Sequence, residues 1–194
     1  MAIPSAALPP GSWTPELAAR ARLLRWLLLD VDGVLTDGRL WFDDKGELLK
    51  AFDVRDGLGI KLLREHGVEV GILSARTSPV VSRRAAGLGI TEVLQGEADK
   101  AAAFDRFLKR RNLAAAQVAY FADDLQDLAV LGACGLSAAP ADAVADVRAR
   151  VAFVTAAPGG RGAVRELAER ILAARGDWQG ILARFLGERE PADS

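Results

Sequence analysis

The chain has 194 residues, 51% of them hydrophobic, with 25 Lys and Arg against 26 Asp and Glu. Such a composition supports one compact domain with a substantial core. The balanced charge excludes a basic polyanion binder directed at nucleic acid or an anionic membrane surface. The single cysteine, Cys134, excludes an internal disulfide and fits a reducing cytoplasm.

Residues 1–13 are rich in Pro, Ala and Ser and read as a disordered lead. They lack the basic start and apolar run of a secretory signal. Residues 187–194 read as a flexible tail, leaving 14–186 as a single domain. No apolar run approaches the ~20 residues of a membrane span.

Thr14 as cap and Pro15 at the first position predict a short helix over 14–25. Residues 26–31 form an apolar strand that runs into Asp30-Val31-Asp32-Gly33. Segments 40–42 and 47–52 flank Asp43-Asp44-Lys45-Gly46, a hairpin turn. A helix follows over 57–66, then a buried strand over 68–73 and a helix over 78–88. The spacing next predicts a strand at 92–94, a helix at 99–111, a strand at 118–121 and a helix at 125–133. A strand at 136–138, a helix at 141–150, a strand at 153–155 and a closing helix at 162–175 complete the series. Short apolar strands alternating with helices predict an α/β fold, a doubly wound parallel sheet covered on both faces. Function in such folds sits at the carboxyl ends of the strands.

The polar residues of interest fall at those ends. Asp30 and Asp32 leave the first strand on the same side, where two carboxylates repel unless a cation neutralises them. An Asx-rich turn would use the same residues. Ser74, in Leu73-Ser74-Ala75-Arg76, offers a hydroxyl near a helix N-terminus, where anions are favoured. Lys100 opens a helix against the helix dipole, a hint of some other task. Asp123, Asp124 and Asp127 crowd behind the strand at 118–121, whereas capping a helix needs one carboxylate.

The order of these signals resembles the haloacid dehalogenase superfamily of phosphotransferases over about residues 25–175. The resemblance implies a Rossmann-like core and a fixed division of labour. Asp30 would attack phosphorus and form an aspartyl-phosphate, and Asp32 would serve as acid and then base. Mg2+ would be held by Asp30, the backbone carbonyl of Asp32, and Asp123. Ser74 and Lys100 would hold phosphate oxygens. The intervals 37–73 and 78–99 hold too few residues for a cap domain, so a capless member is expected, shielded by a neighbouring subunit.

Finer motifs are similar to the 3-deoxy-D-manno-octulosonate 8-phosphate phosphatase family. They are Asp30–Gly38, Asp53-Val54-Arg55-Asp56-Gly57, Gln95-Gly96 with Asp99-Lys100, Gly135-Leu136-Ser137 and Gly159–Glu166. That resemblance implies a homotetramer built partly through the hairpin, and an acidic sugar-phosphate substrate. Asp32, Asp53, Val54, Arg55, Asp56, Gly57, Lys61, Arg76, Arg84 and Lys100 would line the substrate site, some across a subunit boundary. Arg forks suit a sugar acid. Arg76 favours the eight-carbon acid, since relatives acting on nine-carbon acids tend to carry Glu there. Three positions depart from the family pattern: Ala75 and Ala122 stand where Gly is usual, and Lys61 where Arg is expected. The alternatives are a phosphatase of nine-carbon sugar acids, a non-catalytic subunit of a carboxylase-type complex, and a binding module for magnesium or a phosphorylated metabolite.

Overall fold

The computed structural model describes residues 13–44 and 46–187. The expectations for residues 1–12 and 188–194 lie outside it. Trp13, placed in the expected lead, packs edge-on against Phe153 with ring centroids 5.0 Å apart.

A six-stranded sheet runs through the molecule in the order β5-β4-β1-β6-β7-β8, and every pairing is parallel. The strands are β1 Trp26–Leu29, β4 Glu69–Leu73, β5 Glu92–Leu94, β6 Val118–Phe121, β7 Leu136–Ala139 and β8 Phe153–Val154. Between β1 and β4 lies the expected hairpin, β2 Trp41–Asp43 paired antiparallel with β3 Gly46–Leu49. No cap domain interrupts the described residues, because only the hairpin and one helix separate β1 from β4, and one helix separates β4 from β5.

The helices are α1 Pro15–Arg22, α2 Val54–Glu65, α3 Pro79–Gly87, α4 Lys100–Arg111, α5 Leu128–Ala133, α6 Ala145–Arg148, α7 Ala163–Arg175 and α8 Trp178–Leu186. Strand side chains alternate between two cores, as the pleat requires. Leu27, Leu29, Ala119 and Phe121 face the core shared with Ile60, Leu63, Val81, Leu167 and Ile171. Trp26, Leu28, Val118 and Tyr120 face the other, with Phe104, Phe107, Val130 and Val147. Helices therefore cover both faces.

Two expected helices differ in detail, and the structure adds one that the sequence reading lacks. The segment 125–133 begins as a 3-10 turn, Leu125–Asp127, and becomes α-helical only at Leu128. The helix expected over 141–150 shrinks to α6, because Ala143 donates to the Pro140 carbonyl in a turn and the Asp142 side chain accepts from Gly159 N–H. After α7, α8 was not foreseen. Gly176 ends α7 in the left-handed region, but the chain restarts as a helix one residue later and buries Ile181.

From β1 the chain winds outward through β4 and β5, then returns to build β6, β7 and β8 on the other side of β1. The winding direction reverses at β1/β6. The crevice at the carboxyl ends of these two strands is where doubly wound folds bind their ligands.

Candidate active site

Asp30 leaves β1 and Asp123 follows β6, which brings both to that crevice. Asp127 joins them from the 3-10 turn. One carboxylate oxygen from each of Asp30, Asp123 and Asp127 can be chosen so that all lie within 4.8 Å of one another. Lys100, the first residue of α4, is buried among them. Its ammonium stands 3.0 Å from Asp30 Oδ2 and 2.6 Å from Asp127 Oδ1. Tyr120 O–H donates to the same Asp127 oxygen at 2.5 Å. The unfavourable placement of Lys100 in a helical first turn thus has its reason: two buried carboxylates hold it there.

Electrostatics follow from burial. Desolvation and the nearby Asp127 charge push Asp30 up to about 6 despite Lys100. Desolvation and then Asp30 push Asp123 up to about 7. Burial draws Lys100 downward, but Asp30 and Asp127 outweigh it and hold the ammonium above the usual lysine value. Burial, then Asp127, drives the Tyr120 phenol far up, so it stays a donor.

The cluster fits a divalent cation. When ionised, three carboxylates against one ammonium leave two negative charges in a buried pocket. Asp127 Oδ2 is buried with no hydrogen-bond donor in the structure, an orphan that a cation or its water would satisfy. The donors are all oxygen, as a hard cation requires. The sequence singled out Asp127 only as one of a crowded trio, yet it supplies the third carboxylate. Its four-residue spacing from Asp123 was the available signal.

Asp32 goes elsewhere. Its carboxylate forms an ion pair with Lys50, and its second oxygen lies 3.5 Å from Arg76 Nε. Of the three residues assigned to metal, Asp32 therefore adds no carboxylate to the cluster and keeps only its backbone carbonyl for that purpose. Lys50, missed by the sequence reading, follows β3 and has a buried side chain. It lies 18 positions from Asp32, so no local motif could reveal it.

Gly33 makes the turn possible. Its φ is +83°, and a β-carbon there would lie 2.0 Å from Asp123 Oδ2. Thr36 Oγ1 accepts from Gly33 and Gly38 N–H, bracing the loop. The Gly159–Gly162 loop lies directly on it. A β-carbon at Gly159 would fall 1.8 Å from the Gly33 carbonyl oxygen, and Gly160 N–H donates to Val34 O at 2.8 Å. The glycines serve close packing of two backbones here. Ala75 and Ala122 both keep negative φ, so replacing the usual Gly carries no left-handed strain.

The buried Ser74 accepts from Arg76 N–H at 3.3 Å. Arg76 is exposed, with its guanidinium 6.0 Å from the Phe42 ring of the hairpin. On the other flank, Asp53 caps α2 and binds Arg55 at 2.6 Å, and Arg55 Nη2 also donates to Arg161 O. That hydrogen bond with Arg55 holds the Asp53 carboxyl below its usual value. Val54 is 81% exposed. Arg84 donates to Asp53 O and stacks over Phe52, close beside Gly57, which has no side chain to obstruct it.

Two expected substrate residues have other surroundings. Asp56 is buried, and its oxygens accept from Gly162 N–H at 3.3 Å and Arg165 N–H at 2.8 Å, capping α7. Burial raises its pKa, partly opposed by those N–H groups. Lys61 is exposed beside Gly87, Leu88 and Gly89, in the loop that enters β5, which is the amino end of the sheet. The structure does not bring it to the carboxyl-end crevice.

Comparison with known proteins follows the same lines. A model of the haloacid dehalogenase-like hydrolase family matches residues 72–166. The 3-deoxy-D-manno-octulosonate 8-phosphate phosphatase of Escherichia coli K12 is 44% identical over 166 residues, 86% of this chain and 88% of that protein. That of Haemophilus influenzae is 45% identical over 153 residues, covering 79% and 85%. The solved structure of the Moraxella catarrhalis phosphatase, in complex with a magnesium ion, a phosphate ion and a KDO molecule, superposes with a TM-score of 0.85 at 35% identity, covering 88% of this chain and 98% of that one.

Proposed function

The chain belongs to the 3-deoxy-D-manno-octulosonate 8-phosphate phosphatase family of haloacid dehalogenase-like hydrolases, and on that premise we propose that it hydrolyses this sugar-acid phosphate with Mg2+. The observation that carries the proposal is Asp30, buried at the switch point with Lys100 on one oxygen and two further carboxylates beside it.

Asp30 attacks phosphorus as the bond to the sugar oxygen breaks, and Asp32 gives that oxygen its proton. The Asp32 carboxylate then takes a proton from a water that attacks the aspartyl-phosphate. The phosphorus–Asp30 bond breaks, which frees phosphate and returns Asp30 as the carboxylate and Asp32 as the acid, ready for the next ester. Lys100 restrains Asp30 and balances the equatorial oxygens, while Ser74 and the backbone amides after β4 hold the rest. Asp30 and Asp123, with the backbone carbonyl of Asp32, would hold the ion, and Asp127 fits beside them. When bound, Mg2+ supplies charge neutralisation on the transferring phosphoryl group.

Arg76 and Arg84, with the Asp53–Gly57 segment, are proposed to receive the sugar acid. Burial of Asp56 and the distance of Lys61 from the crevice make those two the weakest members of that set. Among the described residues the crevice has no cap of its own. Trp41 and Phe42 of the hairpin are 53% and 58% exposed, a large apolar surface on a short ribbon, which supports assembly of a homotetramer that shields each site. A lone cysteine and a water-soluble substrate support a cytoplasmic setting.

The test is magnesium-dependent phosphate release from the eight-carbon and nine-carbon sugar-acid phosphates. Preference for the eight-carbon ester, abolished by Asp30→Asn, is expected. Equal turnover of both esters overturns the substrate assignment, and full activity of the Asn variant overturns the mechanism.

A further inference from the structure

We propose that Lys50 is the positioning residue for Asp32, setting the carboxylate that exchanges protons with the leaving oxygen and the attacking water; this rests on the role given to Asp32 above. Two cations meet Asp32, and they are unequal. Arg76 stands 3.5 Å away with a side chain 45% exposed, so solvent screens its pull on the carboxylate. The Lys50 side chain is 1% exposed, and its ammonium pairs directly with Asp32 Oδ1. A buried ammonium demands a counter-charge. Asp32 supplies one whenever it is ionised, and the pair holds its carboxyl group at the edge of the crevice.

That restraint matters because Asp32 acts twice on different atoms. A proton donor or acceptor loses effect quickly when it is displaced from hydrogen-bond reach. The ion pair with Asp32 is the route by which Lys50 would act on proton transfer. Lys50 also follows β3 directly, so it ties the hairpin that carries Trp41 and Phe42 to the proton-transfer group.

The experiment compares Lys50→Met with the unmodified full-length enzyme, magnesium present, on two esters. An alkyl ester, glycerol phosphate, needs its leaving oxygen protonated. 4-Nitrophenyl phosphate expels a stable phenolate and does not. The expected result is a kcat/KM for the alkyl ester that falls at least tenfold further than that for the aryl ester. In an Asp32→Asn background, Lys50→Met should add less than a twofold loss, because the group it positions is gone. Equal falls on both esters, or losses that multiply in the double variant, overturn the proposal. Should Lys50→Met fail to fold, Lys50→Gln, which keeps a donor without charge, is read by the same two criteria. Glycerol phosphate makes the outcome independent of substrate identity: an enzyme inactive on the sugar-acid phosphate defeats the proposed substrate, while the alkyl-to-aryl ratio still judges Lys50.

Discussion

Gly33 and Asp123 share one space: a β-carbon on the glycine would lie 2.0 Å from Asp123 Oδ2, and the glycine holds φ at +83°. The turn after β1 is therefore shaped around a residue that comes from β6. Gly33→Ala should push Asp123 aside and strain the turn by about 1–2 kcal/mol. The expected outcome is a fold retained by circular dichroism and a magnesium requirement raised at least tenfold, read from phosphate release against Mg2+ concentration. An unchanged requirement would show that Asp123 does not need this place.

Asp127 is expected to matter as much as its neighbours, although it lies deeper. Asp127→Asn removes one of the cluster's charges and one of the two carboxylates on Lys100. Calorimetric titration with Mg2+ should show affinity lower by roughly ten- to a hundredfold, the range seen when groups supporting a metal site are altered. Retention of full affinity would remove Asp127 from the site.

Without metal, the cluster should make stability fall as pH rises. Asp30 and Asp123 hold their protons to about 6 and about 7 in the folded chain, against 3.8 as the ordinary value. The folded state thus binds more protons than the unfolded one between those limits, and its stabilisation, complete below the ordinary value, is lost as pH climbs through the raised ones. Thermal unfolding in excess chelator should show Tm decreasing from pH 4.5 to 7.5. Asp123→Asn should flatten that slope and raise the metal-free Tm at pH 7.5. A Tm that climbs over this window in chelator would contradict the assignment.

Asp56 is predicted to act on stability before activity. Its carboxylate satisfies two N–H groups at the start of α7, both in a buried setting. Asp56→Ala should cost about 1–2 kcal/mol, which in a chain of this size is a drop of roughly 2–8 °C in Tm. Asp56→Asn keeps an acceptor and should lose less. Scanning calorimetry on the two variants decides it, and an alanine variant with unchanged Tm would leave the carboxylate free for substrate.

The hairpin should govern assembly. Trp41→Glu combined with Phe42→Glu places charge on the exposed apolar ribbon. Light scattering should then report smaller particles than the tetramer expected of the unaltered chain, with a lower kcat/KM as the crevices lose their neighbours. A variant of undiminished size would move the interface elsewhere.

By itself the sequence determined the α/β architecture and where the polar residues of the candidate site fall along it. Alternation of apolar strands and helices is local information, and it placed Asp30, Ser74 and Asp123 just past strand ends, with Lys100 opening a helix, as the structure has them. Even the awkward position of Lys100 was legible, because a helix dipole acts within one turn. Tertiary structure alone decided which partners those residues meet. Lys50 reaches Asp32 only because the chain leaving the hairpin returns to the residues that follow β1, and Asp56 becomes a cap only because α7 lands beside α2. Lys61 is carried to the far end of the sheet by the helix it shares with the Asp53–Gly57 segment. Ion pairs and buried caps depend on distances between elements remote in the chain, and neither spacing nor hydropathy encodes those distances.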